Sequence, residues 1–127
     1  MKTRSTILAC VLSCAAGAGV MWAQQQAQGT SRREPQFENE HVKVWKSIIM
    51  PKQPLTQHRH DHGRALIALT DGQLKVIDQN GKHLDTYKWK AGNAYWLGVD
   101  PPGQTHADVN ETTKPIEVIV VELKKDR

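Results

Sequence analysis

The chain has 127 residues with a formal net charge of +4, from 17 lysines and arginines against 13 acidic residues. That length limits it to one modest domain. The positive charge comes without a lysine/arginine run or interleaved basic and aromatic residues, so the pattern speaks against nucleic acid as a partner.

The first segment, 1–23, reads as a secretory signal. Lys2 and Arg4 precede an apolar run from Ile7 to Val20, and Met21-Trp22-Ala23 follows. A basic start, a short apolar core and small residues near its end describe such a signal. The run is broken by Ser13, Gly17 and Gly19, and it is short for a span of about 20 residues. Cleavage is expected after Ala23, with Ala27 as the second choice. Val11-Leu12-Ser13-Cys14 has the look of a bacterial lipobox, so a lipoprotein is the competing reading, with membrane attachment only if Cys14 is lipidated. Export to the periplasm or the medium is the expected localisation. Both cysteines, Cys10 and Cys14, lie in this segment, so a processed domain would have neither a disulfide nor a thiolate ligand. Loss of Lys2 and Arg4 would reduce the charge to about +2, which removes most of the meaning of the basic pI.

Residues 24–36 are polar and aperiodic and read as a disordered linker, with the domain spanning 37–123 and a solvated tail at 124–127. A strand is expected from His41 to Met50, where apolar side chains on both faces suit the wall of a sandwich or barrel. Pro51 and Pro54 end it. After the histidine-rich His58-Arg59-His60-Asp61-His62-Gly63 come short strands at Arg64–Thr70 and Leu74–Asp78. Asn80-Gly81 is the strongest hairpin signal, and Leu84–Lys90 returns. Further strands are expected at Asn93–Leu97, Thr105–Asn110 and Ile116–Leu123. No segment after the signal shows a 3.6-residue apolar period. The class is therefore all-β, a sandwich or barrel of seven or eight short strands.

The histidines carry the chemistry. On a strand, side chains at i and i+2 share a face about 7 Å apart, and imidazole is the commonest side-chain metal ligand. His58 and His60 can thus aim two nitrogens at one ion, with His106 supplied by a neighbouring strand. His62 would join only through a bend at Gly63, because i and i+4 on a regular strand stand about 13 Å apart. With no thiolate present, the donor set suits Fe, Mn, Ni or Zn.

These residues resemble the two motifs of the cupins: His58-x-His60, a glycine turn near Gly72, then Pro102-Gly103-x-x-His106-x-x-x-Asn110. The likeness runs from about Phe37 to Leu123. It is closest to small single-domain cupins that open like Phe37-Glu38-Asn39-Glu40-His41-Val42-Lys43-Val44 and end like Val120-Val121-Glu122-Leu123-Lys124. The resemblance implies a double-stranded β-helix, or jelly-roll barrel, with His58, His60 and His106 as metal ligands. The family's first-motif glutamate falls at position 64, which here is Arg64, and no acidic residue lies between Gly63 and Thr70. Alternatively the metal is lost, and Arg64 at the barrel mouth pairs with an anionic ligand through its planar fork; Tyr95 and Trp96 are further candidate pocket residues. The expected function is an exported metal-binding cupin, dioxygenase-like or an isomerase, acting on a small organic acid or sugar-like substrate. The alternative is a non-catalytic module for a small ligand or for the metal itself. A homodimer is expected of so small a domain.

Overall fold

The computed structural model describes residues 29–125; the expected signal, both cysteines and the lipobox lie outside the described residues. Within residues 31–125 the chain forms eight strands: β1 Arg32–Glu38, β2 Val42–Ile49, β3 Arg64–Ala68, β4 Gly72–Asp78, β5 His83–Trp89, β6 Ala94–Leu97, β7 His106–Asn110 and β8 Ile116–Leu123. They make a five-stranded sheet in the order β1-β2-β8-β3-β6 and a three-stranded sheet in the order β5-β4-β7. Every ladder is antiparallel.

Seven of these strands follow the expected pattern of apolar and turn residues. The eighth corrects it: β1 begins at Arg32, inside the stretch read as linker. Composition hid it because most of its side chains are exposed and polar. What makes it a strand is the ladder to β2, where Arg33 pairs with Ser47 and Phe37 with Val44 across a bulge after Pro35. Proline cannot donate to a ladder and is confined to edges and bulges, and β1 is an edge strand.

The alternation along β2 and β8 builds the core. Trp45, Ile49, Leu66, Ile116, Val118 and Val120 of the large sheet meet Leu74 and Trp89 of the small one. Each of these side chains contributes roughly 1.5–3 kcal/mol by leaving water. Gly72 enters β4 where a Cβ would fall 2.7 Å from the Ile116 side chain, so bulk is excluded there. The Asn80-Gly81 hairpin forms with Gly81 at φ 80° and a register shift between Val76 and Ile77, while Asn80 keeps a negative φ. It is thus the bulged hairpin with one left-handed glycine rather than the two-residue primed turn. β8 lies at the centre of its sheet between β2 and β3, and its outward side chains are half-buried.

Asn110 ties the sheets together at the far end. It is fully buried. Its Nδ2 donates to the carbonyls of Ile49 (2.9 Å) and Lys114 (2.7 Å), and its Oδ1 accepts from the Thr112 backbone (2.9 Å) and hydroxyl (2.6 Å). Asn110→Ala strands several buried polar groups, each costing about 1–3 kcal/mol. Urea denaturation is expected to show a loss of about 3 kcal/mol or more. A change below about 0.5 kcal/mol would show that the turn does not need it.

Candidate metal centre

His58 and His106 face each other in an antiparallel bridge. Each backbone N–H donates to the other's carbonyl, at 2.9 and 2.7 Å. His60 follows on an extended segment that is not a regular strand. The 100–106 loop holds that segment in place: the His60 N–H donates to Asp100 Oδ2 (2.6 Å), and the Asp100 N–H donates to the His60 carbonyl (2.9 Å). Arg59, between the two histidines, clamps the same loop through the Pro101 carbonyl (2.8 Å) and the Gln104 carbonyl (3.3 Å). The alternation expected of a strand therefore survives without one, because the opposing loop supplies the partners a strand would have had.

The three rings converge. Their centroids stand 4.9 Å apart for His58–His60, 4.4 Å for His58–His106 and 5.4 Å for His60–His106. One nitrogen from each lies within 4.8 Å of the others. The second nitrogen of each ring is occupied. Nδ1 of His58 meets the Thr56 carbonyl at 2.7 Å, Nδ1 of His60 meets Glu122 Oε2 at 2.5 Å, and Nδ1 of His106 meets Asp100 Oδ2 at 3.1 Å. All three partners are acceptors, so each Nδ1 carries the proton and each Nε2 keeps a lone pair. Nε2 of His58 and of His106 are buried with no hydrogen-bond partner among the described residues. Ring orientation by a carbonyl or carboxylate at the far nitrogen is the usual support of a ligating histidine. Orphaned, converging acceptors are what a bound cation would satisfy, so the residues fit a divalent ion.

Burial pushes His58 and His106 down to about 4, although the Thr56 carbonyl opposes this at His58 and Asp100 does so at His106. For Glu122, burial alone would raise the carboxyl, but the hydrogen bond from His60, with the charges of Arg64 and Arg33 nearby, outweighs it and holds it below its ordinary value. Trp45 stacks beside His60, with ring planes 4° apart and centroids 6.1 Å apart.

A cavity of about 30 Å³ opens beside the rings, with Arg33, Arg64, Tyr87, Trp89 and Asp108 among its walls. Arg64 is thus one of the cavity walls. His62 is not: it lies outside the cluster, since the bend at Asp61-His62 does not bring it back to the other three. Tyr95 and Trp96 are not among the cavity walls either. The Tyr95 hydroxyl accepts from the Lys90 N–H (2.9 Å). Trp96 is 62% exposed and lies over Gly63, where any Cβ would strike the indole. Gly63 thus leaves room for a ring rather than allowing a turn.

Sequence reasoning missed Asp100, Asp108, Glu122 and Arg33. Alternation held the only signal: Asp108 stands two residues from His106 on β7, and Glu122 pairs with Arg64 across the β3–β8 ladder.

No protein-family model matches the chain, and no curated protein matches it. Solved structures do. A cupin domain from Bordetella pertussis Tohama I aligns over 76% of this chain and 95% of its own, at 23% identity and a TM-score of 0.65. An RmlC-like cupin family protein with a double-stranded β-helix fold from Methanocaldococcus jannaschii covers 75% of this chain and 81% of its own, at 17% identity and 0.57. An uncharacterized conserved protein with a double-stranded β-helix domain from Klebsiella pneumoniae covers 75% and 77%, at 24% and 0.54. These likenesses establish the fold expected from the motifs, the cupin double-stranded β-helix.

The lowered histidines give a pH prediction. With folded values near 4 against about 6.5 unfolded, the metal-free domain binds fewer protons than its unfolded chain between those limits. Its stability is then full above about pH 6.5 and falls as the pH drops toward 4. Chemical denaturation of metal-free protein at pH 7, 5.5 and 4.5 should show this loss, and His58→Gln with His106→Gln should flatten it. A wild-type profile with no such slope would contradict the buried neutral rings.

Proposed function

We propose that this chain is an exported cupin that binds one divalent transition ion through Nε2 of His58, His60 and His106 and offers it to a small anionic ligand. The carrying observation is the pair of buried Nε2 atoms without partners, on rings whose Nδ1 atoms are all engaged. Fe, Ni and Zn suit an imidazole donor set, and Mn is the harder alternative. A bound ion with open positions would supply Lewis acidity, or redox chemistry in the case of Fe or Mn.

The protein's own residues do the rest. Thr56, Glu122 and Asp100 orient the rings. Trp45, Leu66 and Leu97 wall the site with apolar surface. Arg64, where the glutamate of related motifs would stand, keeps the donor set to three imidazoles and brings a positive charge to the cavity. A space of about 30 Å³ holds roughly two waters. This favours the head group of a small organic acid and weighs against a sugar-like substrate. A dioxygenase-like oxidoreductase on such an acid is the leading activity. The same small volume is what a non-catalytic metal or anion carrier would have, and that is the second reading. The export reading rests on Met1 to Ala23, and the small size of the domain supports pairing of two copies.

Metal analysis of protein expressed with its leader and without a polyhistidine tag tests this. About one equivalent of a single transition metal is expected, lost in His60→Ala and in His106→Ala. Glu122→Gln should retain the fold and weaken affinity about 10- to 100-fold, because it frees the His60 ring. Failure to take up Fe, Mn, Ni or Zn on reconstitution would overturn the proposal. Oxygen uptake by the Fe(II) form with small organic acids separates the enzyme from the carrier.

A further inference from the structure

Arg64 is only 4% exposed, yet its guanidinium makes one hydrogen bond, from Nη1 to the Gly98 carbonyl at 2.9 Å. No carboxylate of the described residues lies within ion-pairing distance of it. Asp100, Asp108 and Glu122 reach it only through the longer-range field. Asp100 and Glu122 are already committed to His106 and His60. A buried cation without a counter-ion is costly, and proteins avoid it unless something completes the pair. None of Arg64's other nitrogens is both sealed from solvent and unpartnered, so its remaining donors open onto free space. The cavity that Arg64 walls is that space.

Two further charged groups line the same cavity without ion pairs or hydrogen bonds among the described residues. Arg33 comes from the edge strand β1 and lies over the Trp45 ring, 5.0 Å from its centroid, at the more exposed side of the site. Asp108 enters from β7, two residues beyond His106. The Tyr87 hydroxyl, another wall, has no hydrogen bond among the described residues, and burial keeps it protonated. The cavity thus offers two guanidiniums and a phenol to an anion, and one carboxylate to a donor group. Beside these stand the three imidazoles.

We propose that Arg64, assisted by Arg33, binds the carboxylate of a small 2-hydroxy acid next to the histidine cluster, with Asp108 accepting a hydrogen bond from its hydroxyl. A planar fork matches a carboxylate through two parallel hydrogen bonds. The free Asp108 distinguishes a hydroxy acid from a plain one, because an unpaired acceptor beside the ligand is satisfied only by the former. The small cavity fits the carboxylate head, with the remainder of the ligand directed past Arg33. This rests on the metal reading for its function but not for its binding.

The test is calorimetric titration of glycolate and acetate, at constant ionic strength, into metal-free and metal-loaded protein. Glycolate is expected to bind both forms and to bind more tightly than acetate by about 10-fold. Arg64→Gln should weaken glycolate at least 10-fold, a charge-assisted bond being lost. Arg33→Gln, at an exposed position on the edge strand, should weaken it by a smaller factor and serves if the Arg64 variant fails to fold. Asp108→Asn should bring glycolate and acetate closer together. Binding to metal-free wild type, sensitive to Arg64 and Arg33, upholds the subsite even if no metal is ever found. Metal uptake with no binding of either acid to either form overturns the subsite and leaves the metal reading intact. Equal affinity in wild type and both arginine variants also overturns it, as does acetate binding as tightly as glycolate.

Discussion

The site depends on which nitrogen of each imidazole holds the proton. Three acceptors of different origin, the carbonyl of Thr56 and the carboxylates of Asp100 and Glu122, take the Nδ1 protons of His58, His106 and His60. That choice leaves the Nε2 lone pairs of His58 and His106 buried without partners beside the His60 ring, an arrangement that a buried interior does not tolerate without a cation or a proton. Burial disfavours the proton. The rest of the barrel serves this geometry: β8 brings Glu122, the 100–106 loop brings Asp100 and His106, and Arg59 fixes that loop to the segment carrying His58 and His60.

The charge pattern of the cavity centres on one residue. Where related motifs place a glutamate, this chain has Arg64, buried on β3 and paired in register with Glu122. The carboxylate that remains in the cavity, Asp108, arrives from β7 in the other sheet. A pocket arranged this way suits a ligand that brings its own negative charge, and the two arginines without ion pairs are where that charge would settle.

Much of this was legible in the residues. Alternation, turn glycines and β-branched runs placed seven of the eight strands within a residue or two, because each buries one face against the other sheet. β1 was not legible, since its side chains are mostly exposed and its reason for existing is the β2 ladder, a long-range pairing that composition does not record. At the site, the spacing of His58, His60 and His106 was enough, as these positions share a face by local geometry and by the His58–His106 bridge. His62 falls outside the cluster, because it lies in the bend at 61–62 and the other three converge without it. Trp96 and Tyr95 were over-read as pocket aromatics, whereas one covers Gly63 and the other holds a turn. The supporting acids were missed because Asp100, Asp108 and Glu122 lie far from the histidine motif in sequence, and only folding brings them to it.

The most direct measurement is the tautomer of each histidine in the metal-free protein at pH 7, read from the ring nitrogen shifts and long-range proton couplings in nitrogen-15 NMR. His58 and His106 should each be neutral, protonated at Nδ1 and bare at Nε2, and His60 should carry a proton on the Nδ1 that faces Glu122. Addition of one equivalent of zinc should then shift Nε2 in all three while leaving the Nδ1 protons in place. Protonation at Nε2 of His58 or His106, or a charge on either ring at pH 7, would contradict the arrangement on which the metal centre is built.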